Sequence, residues 1–293
     1  MQLSRISTQL FCLSALIILT SGIIRHDVDK SEYIKLAAQT QFDCVGALTH
    51  DGVIKASGVL IDEYYVLTAA HIFIESIPGG DSGIKSKHNN NPITRRIGDL
   101  SSTAFVFNDQ SHEIEEVTVH PNSLRKNYKE DAFDLALIKL KTPCTSVTPA
   151  HVNTQLDELR SDVVGVGFGQ SGTAGQIELD NSGYKIAGEN VIDSIGGNIF
   201  NGQPVIMYCD FDHPTDASCN KMGSSTPKRL EYLCAAGDSG GGLFREANGK
   251  WELIGICKGS TTDPNQLLKS GWYGQKMRWT RISVVNDWIK ENI

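Results

Sequence analysis

Basic residues are too few for a nucleic-acid surface: 27 Lys and Arg stand against 34 Asp and Glu, giving a formal charge of −7 and a pI near 5.6. A chain that neutralises phosphates needs the opposite balance, so no nucleic-acid partner is expected. Long apolar runs are also scarce. The marked one, residues 10–19, is too short to cross a bilayer comfortably. With Arg5 before it and Thr20-Ser21-Gly22 after it, the run has the layout of a secretory leader. We read residues 1–22 as a signal peptide and expect no membrane attachment once it is removed. Cys12 lies inside the run and not just after it, so it does not resemble a lipidation site. There is no internal repeat and no Cys-x-x-Cys pair. Without that pair, the grouping of Cys209, Asp210, Asp212, His213 and Cys219 is not read as a metal site. Neither a metal nor an organic cofactor is expected.

Glycine, by contrast, is plentiful, with 28 in 293 residues, and short β-branched runs recur between turn residues. That pattern predicts an all-β architecture in a chain long enough to bury a substantial core. The most informative stretch is Ala236-Gly237-Asp238-Ser239-Gly240-Gly241-Gly242-Leu243-Phe244-Arg245. A serine hydroxyl is a poor nucleophile at neutral pH, so it needs a base to take its proton and amide donors to hold an oxyanion. Flanking glycines permit the tight turn and keep Cβ atoms away from the acyl carbon. The tetrapeptide alone proves little, because Gly80-Asp81-Ser82-Gly83 repeats it within a polar segment; that copy reads as a turn. The second copy runs on into Trp251-Glu252-Leu253-Ile254-Gly255-Ile256-Cys257, a hairpin-like pair of strands that would fix Ser239 on a rigid element.

Two further segments supply partners. Tyr64-Tyr65-Val66-Leu67-Thr68-Ala69-Ala70-His71 is an aromatic and β-branched strand ending on a histidine. Phe133-Asp134-Leu135-Ala136-Leu137-Ile138-Lys139-Leu140 places one carboxylate at the head of an apolar strand. Taken in the chain order His, Asp, Ser, these segments resemble the chymotrypsin/trypsin-like serine peptidases. Val119-His120-Pro121, Val164-Gly165-Val166-Gly167-Phe168-Gly169 and Trp279-Thr280-Arg281-Ile282 fit the same order, so the resemblance runs from about residue 23 to the C-terminus. It implies two antiparallel six-stranded Greek-key β-barrels, the first over about 23–150 and the second over about 151–282, with a C-terminal α-helix over about 283–293. It also implies that His71 is the general base, that Asp134 orients it, that Ser239 attacks the scissile carbonyl, and that the N–H groups of Gly237 and Ser239 hold the oxyanion.

Further expectations come with the resemblance. A new N-terminal amine on Ile23, created by leader removal, would form an activating ion pair with Asp238. After the leader, Cys44, Cys144, Cys209, Cys219, Cys234 and Cys257 remain, an even number that in an exported chain suggests disulfides. The family topology implies the pairs Cys234–Cys257, Cys209–Cys219 and Cys44–Cys144. Leu233 stands where trypsin carries an Asp, so Leu233, Cys234, Lys258 and Gly259 are expected around a substrate pocket that does not favour basic residues. The polar residues 77–96 read as a long surface loop, and Ser283 reads as the cap of a terminal helix packed on the second barrel. A secreted, monomeric endopeptidase acting on protein or peptide substrates is the implied function. The alternatives are a catalytically silent binding protein on the same scaffold and an acyl hydrolase using the same three residues. An α/β-hydrolase is disfavoured because its histidine would follow the serine, and no histidine follows Ser239.

Overall fold

The computed structural model describes residues 22–78, 84–85, 92–124, 133–175, 183–261 and 271–293. Residues 1–21 of the leader and the Gly80-Asp81-Ser82-Gly83 copy lie outside the described residues. The chain opens with strand β1 (Gly22–Ile24) and helix α1 (Lys30–Ala37). Helix α1 begins where it does because the Asp29 carboxylate accepts the Ser31 N–H at 2.8 Å, satisfying one of the amides a helix start leaves open.

Six strands follow that close into a barrel: β2 (Val45–His50), β3 (Val53–Asp62), β4 (Tyr65–Thr68), β8 (Thr103–Phe107), β9 (Gln110–Val119) and β10 (Ala136–Leu140). Their order is β10-β4-β3-β2-β8-β9. Between β4 and β8 the chain forms a small separate sheet in the order β5-β7-β6, from β5 (Ile74–Pro78), β6 (Ile84–Lys85) and β7 (Pro92–Ile97). Residues 77–96 therefore carry strands where a plain loop was expected. Isoleucines at 74, 77, 84, 93 and 97 favour extended backbone, and pairing satisfies amides that a bare loop would leave to water.

The second half contains β11 (Asp162–Gly167), β12 (Ser171–Thr173), β13 (Ile186–Val191), β14 (Ser194–Phe200), β15 (Gln203–Asp210), β16 (Tyr232–Leu233), β17 (Gly242–Ala247), β18 (Lys250–Ser260) and β19 (Lys276–Arg281). Seven of them form one antiparallel sheet in the order β13-β11-β17-β18-β19-β15-β14. It curls back on itself, since Asn190 of β13 donates its amide to the Asp210 carbonyl at the end of β15, at 2.8 Å. Four hairpins across the two halves use the same device. Asp51-Gly52, Asn108-Asp109, Asn201-Gly202 and Asn248-Gly249 all have positive φ at both residues. That is the two-residue turn whose twist matches the strands it joins.

The halves do not divide at the expected boundary. Strand β1 pairs with β12 and β16, and α1 packs on β13, so residues 22–37 belong to the second half and not to the first barrel. Helix α2 (Asn286–Glu291) lies over the seam, with Trp288 4.9 Å from the His120 ring of the first half. Ser283 does not cap it. Its hydroxyl instead donates to Glu158, a fully buried carboxylate that also takes two bonds from Arg281, at 3.0 and 2.6 Å. Among the described residues, no helix is long and apolar enough to cross a membrane.

Candidate active site

The site is assembled from loop ends on both halves. The first barrel contributes His71, in a single helical turn after β4, and Asp134, just before β10. These strands are neighbours, with Ala136 opposite Thr68, which brings the two side chains together despite a sequence separation of 63. The second half contributes Ser239, in the tight turn before β17.

Asp134 grips His71 twice. Its Oδ1 accepts the His71 main-chain N–H at 2.8 Å, and its Oδ2 meets Nδ1 at 2.6 Å. The other ring nitrogen, Nε2, lies 3.0 Å from Ser239 Oγ. Asp134 is 1% exposed, and burial pushes against its ionisation more than any other influence. The His71 ring, its hydrogen bond and then Lys258 outweigh that penalty and hold the carboxyl below the usual range. An ionised Asp134 requires a proton on Nδ1, which leaves Nε2 free to accept the Ser239 proton.

Peptide planarity fixes where the nearby amides point. The structure contains no cis peptide bond among the described residues, so each N–H is antiparallel to the preceding carbonyl. The Ala236 carbonyl accepts the Gln170 N–H at 3.1 Å, and the Asp238 carbonyl accepts the Gly241 N–H at 2.8 Å. The N–H groups of Gly237 and Ser239 are thereby turned away from those partners. The N–H of Asp238, between them, is already committed to Ala235 at 3.0 Å. Gly237 adopts φ +90°, a backbone region that other residues reach only with strain. Ser57, buried on β3, fastens this loop: its hydroxyl donates to the Gly237 carbonyl and accepts the Phe168 N–H, both at 2.8 Å.

The Asp238 carboxylate points away from the nucleophile into a niche of the second half. It accepts the N–H groups of Gly169 and Ala235 at 2.9 Å each. A Cβ placed on Gly167 or Gly169 would fall 2.3 to 2.6 Å from carboxylate atoms, so only glycine fits there. Desolvation raises its pKa to about 6, against the pull of those two amides. Gly22 borders the same niche, with a Cβ position 3.0 Å from Oδ2, while Ile23 is buried in the second-half core and paired with Leu233.

The remaining expected residues separate. Leu233 and Cys234 are each 1% exposed and belong to an apolar cluster with Ile23, Cys257 and Met277. Gly259 has φ +119° and open space beside it. Lys258 does not face a pocket. Its side chain is 4% exposed and its ammonium lies 3.5 Å from Asp134 Oδ2. The six described cysteines are free thiols. Cys44 donates to the Gln41 carbonyl, Cys144 meets Ser146, Cys219 donates to Asp216, and Cys209 is buried in the second core, so the Cys44–Cys144 and Cys209–Cys219 bridges are not formed. The Cys257 thiol does lie against Cys234; burial, then that neighbour, pushes its pKa up.

Sequence reasoning missed Ser57 and the true direction of Lys258. A lysine at the end of the apolar run Ile254-Gly255-Ile256-Cys257 was the available signal for the latter.

Comparison with known proteins shows the family. The family model for trypsin matches residues 34–289. CLIP domain-containing serine protease B4 of Anopheles gambiae is 28% identical over 254 residues, covering 80% of this chain and 61% of that protein. Phenoloxidase-activating enzyme 1 of Spodoptera litura is 25% identical over 253 residues, covering 82% and 59%. The chain thus spans about three fifths of the length of the curated relatives it matches. Among solved structures, neuropsin, a serine protease expressed in the limbic system of mouse brain, superposes with a TM-score of 0.54. At 21% identity, over 87% of this chain and 96% of that one, the likeness concerns the fold alone.

Proposed function

The chain belongs to the trypsin family of serine peptidases, and from that membership we propose that it is a secreted endopeptidase cleaving protein or peptide substrates. One observation carries the proposal: the unbroken relay from Asp134 Oδ2 through His71 to Ser239 Oγ, at 2.6 and 3.0 Å. Ser239 Oγ attacks the scissile carbonyl as His71 Nε2 takes its proton, and Asp134 stabilises the imidazolium. The N–H groups of Gly237 and Ser239 receive the oxyanion in a site that has no reorganising to do. His71 then protonates the leaving amine, and water releases the acyl group from Ser239 by the same steps in reverse. A depression of about 200 Å³ lined by Leu48, Lys55, Phe73, Leu100 and Ile72, the residue that follows His71, suits residues on the leaving-group side. The apolar setting of Leu233 and Cys234 supports an uncharged side chain on the acyl side.

Removal of residues 1–22 would free the Ile23 amine one residue beyond the contact that Gly22 makes with the Asp238 niche. That cation would offset a buried carboxylate whose pKa is otherwise raised to about 6. N-terminal mass spectrometry of active secreted protein tests this; a start other than Ile23 rules it out. The nucleophile is tested with a fluorophosphonate probe. Wild-type protein is expected to label and Ser239→Ala to be inert, with His71→Ala slower by about 10⁴-fold. Labelling that persists in Ser239→Ala refutes the assignment.

A further inference from the structure

Strand β18 changes register against β19 at one place. Cys257 pairs with Trp279, but Gly259 pairs with Arg278, so Lys258 is the additional residue of a β-bulge. A bulge re-aims the side chain it carries. Here it turns a lysine inward, to within 3.5 Å of Asp134 Oδ2, with side chains 4% and 1% exposed. His71 Nδ1 contacts that same oxygen at 2.6 Å. The ammonium is therefore no farther from Nδ1 than these two contacts laid end to end.

We propose that Lys258 is a positioning residue of the relay, holding the Asp134 carboxylate in place and setting the pH below which His71 ceases to act as a base. The inference rests on the endopeptidase reading and deepens it. With Lys258 present, Asp134 is neutralised before His71 takes a proton. Protonating His71 then creates a net positive trio, where without Lys258 it would complete a neutral pair. The lysine thus opposes the imidazolium and keeps His71 available at lower pH.

The other groups around Asp134 do not take this role. Thr280 of β19 donates its hydroxyl to the Asp134 main-chain carbonyl at 3.2 Å. Arg281, next on that strand, is committed to Glu158. His120, on the turn after β9, stacks on Phe133 at 4.4 Å, and Asp238 faces its own niche across the nucleophile loop.

The rate of fluorophosphonate labelling at Ser239, followed from about pH 4 to 9, reads the acid limb directly and needs no knowledge of the natural substrate. Two unit charges about 6 Å apart at an effective dielectric near 20 correspond to roughly 2 pH units, less where water intervenes. In Lys258→Met the acid limb is expected to rise by about 1 to 2 pH units, and in Lys258→Arg to stay within about 0.3 of wild type. A role confined to packing would leave the limb unmoved. If Lys258→Met does not fold, Lys258→Gln makes the same comparison. A neutral variant with the wild-type limb, or an Arg variant that shifts as far as Met, overturns the inference while the nucleophile assignment stands. Wild-type protein that never labels overturns both.

Discussion

Replacing Ser57 with alanine removes one oxygen and disconnects two amides. That hydroxyl donates to the Gly237 carbonyl and accepts the Phe168 N–H, and Ser57 is fully buried, so water cannot substitute. Two hydrogen bonds at about 1 kcal/mol net set a lower bound near 2 kcal/mol. Two orphaned buried groups, at about 1 to 3 kcal/mol each, raise the ceiling, and we expect a loss of about 2 to 4 kcal/mol. The damage is local to the loop that carries the oxyanion donors. If about 1 to 2 kcal/mol of it is felt in the transition state, acylation slows roughly 5- to 30-fold. Urea unfolding of Ser57→Ala beside wild type gives the stability term, and the labelling rate of Ser239 at neutral pH gives the kinetic one. Serine at this position also spans the two halves, so the loss is expected to fall on maximal rate more than on substrate affinity. A variant within about 0.5 kcal/mol of wild type, labelling at the same rate, would show that neither amide depends on Ser57.

Three other outcomes follow from separate features. Glu158→Gln strands Arg281 in the interior and is expected to cost about 3 to 5 kcal/mol, whereas Glu158→Leu with Arg281→Met recovers most of that loss; urea midpoints that simply add would contradict the pairing. Burial pushes Glu231 up to about 8, Asp193 to about 7 and Asp212 to about 6. The folded chain then holds protons that the unfolded chain, titrating near 4, has released, so the stability these three groups contribute is complete below about pH 4 and is lost as pH rises from there through about 6 to 8. Glu231→Gln should flatten the upper part of that fall in thermal melts, and a melting temperature that climbs with pH over this range would reverse the sign. Diamide is expected to join Cys234 to Cys257, whose thiols are adjacent, and no other described pair; peptide mapping that finds Cys209–Cys219 would contradict the contact of the Cys219 thiol with Asp216.

His71, Asp134 and Ser239 were legible in the sequence because each sits in a segment whose strand and turn residues locate it. The two-barrel order followed from the resemblance those segments carry. What escaped was set by contacts between distant parts of the chain. Strict alternation along β18 gives no warning of a bulge at Lys258, and the residue was assigned to a pocket it does not face. Ser57 looks like any polar strand residue until β3 meets the Gly237 loop. Ser283 has the right chemistry for a helix cap, but the buried Glu158 takes its hydroxyl first. The strands within residues 77–96 were hidden by the glycines and asparagines between them.

The relay crosses the seam between the halves, with His71 and Asp134 on one side and Ser239 and Lys258 on the other. Ser57, Thr280 and helix α2 lock that seam shut. Strands of either half that form before the two meet would therefore leave the protein chemically silent, because one buried apolar cluster draws on both halves and the relay closes only with it. Reactivity of Ser239 becomes a clock for docking: it should appear after the circular dichroism of the strands is complete, at the rate at which the two surfaces find each other.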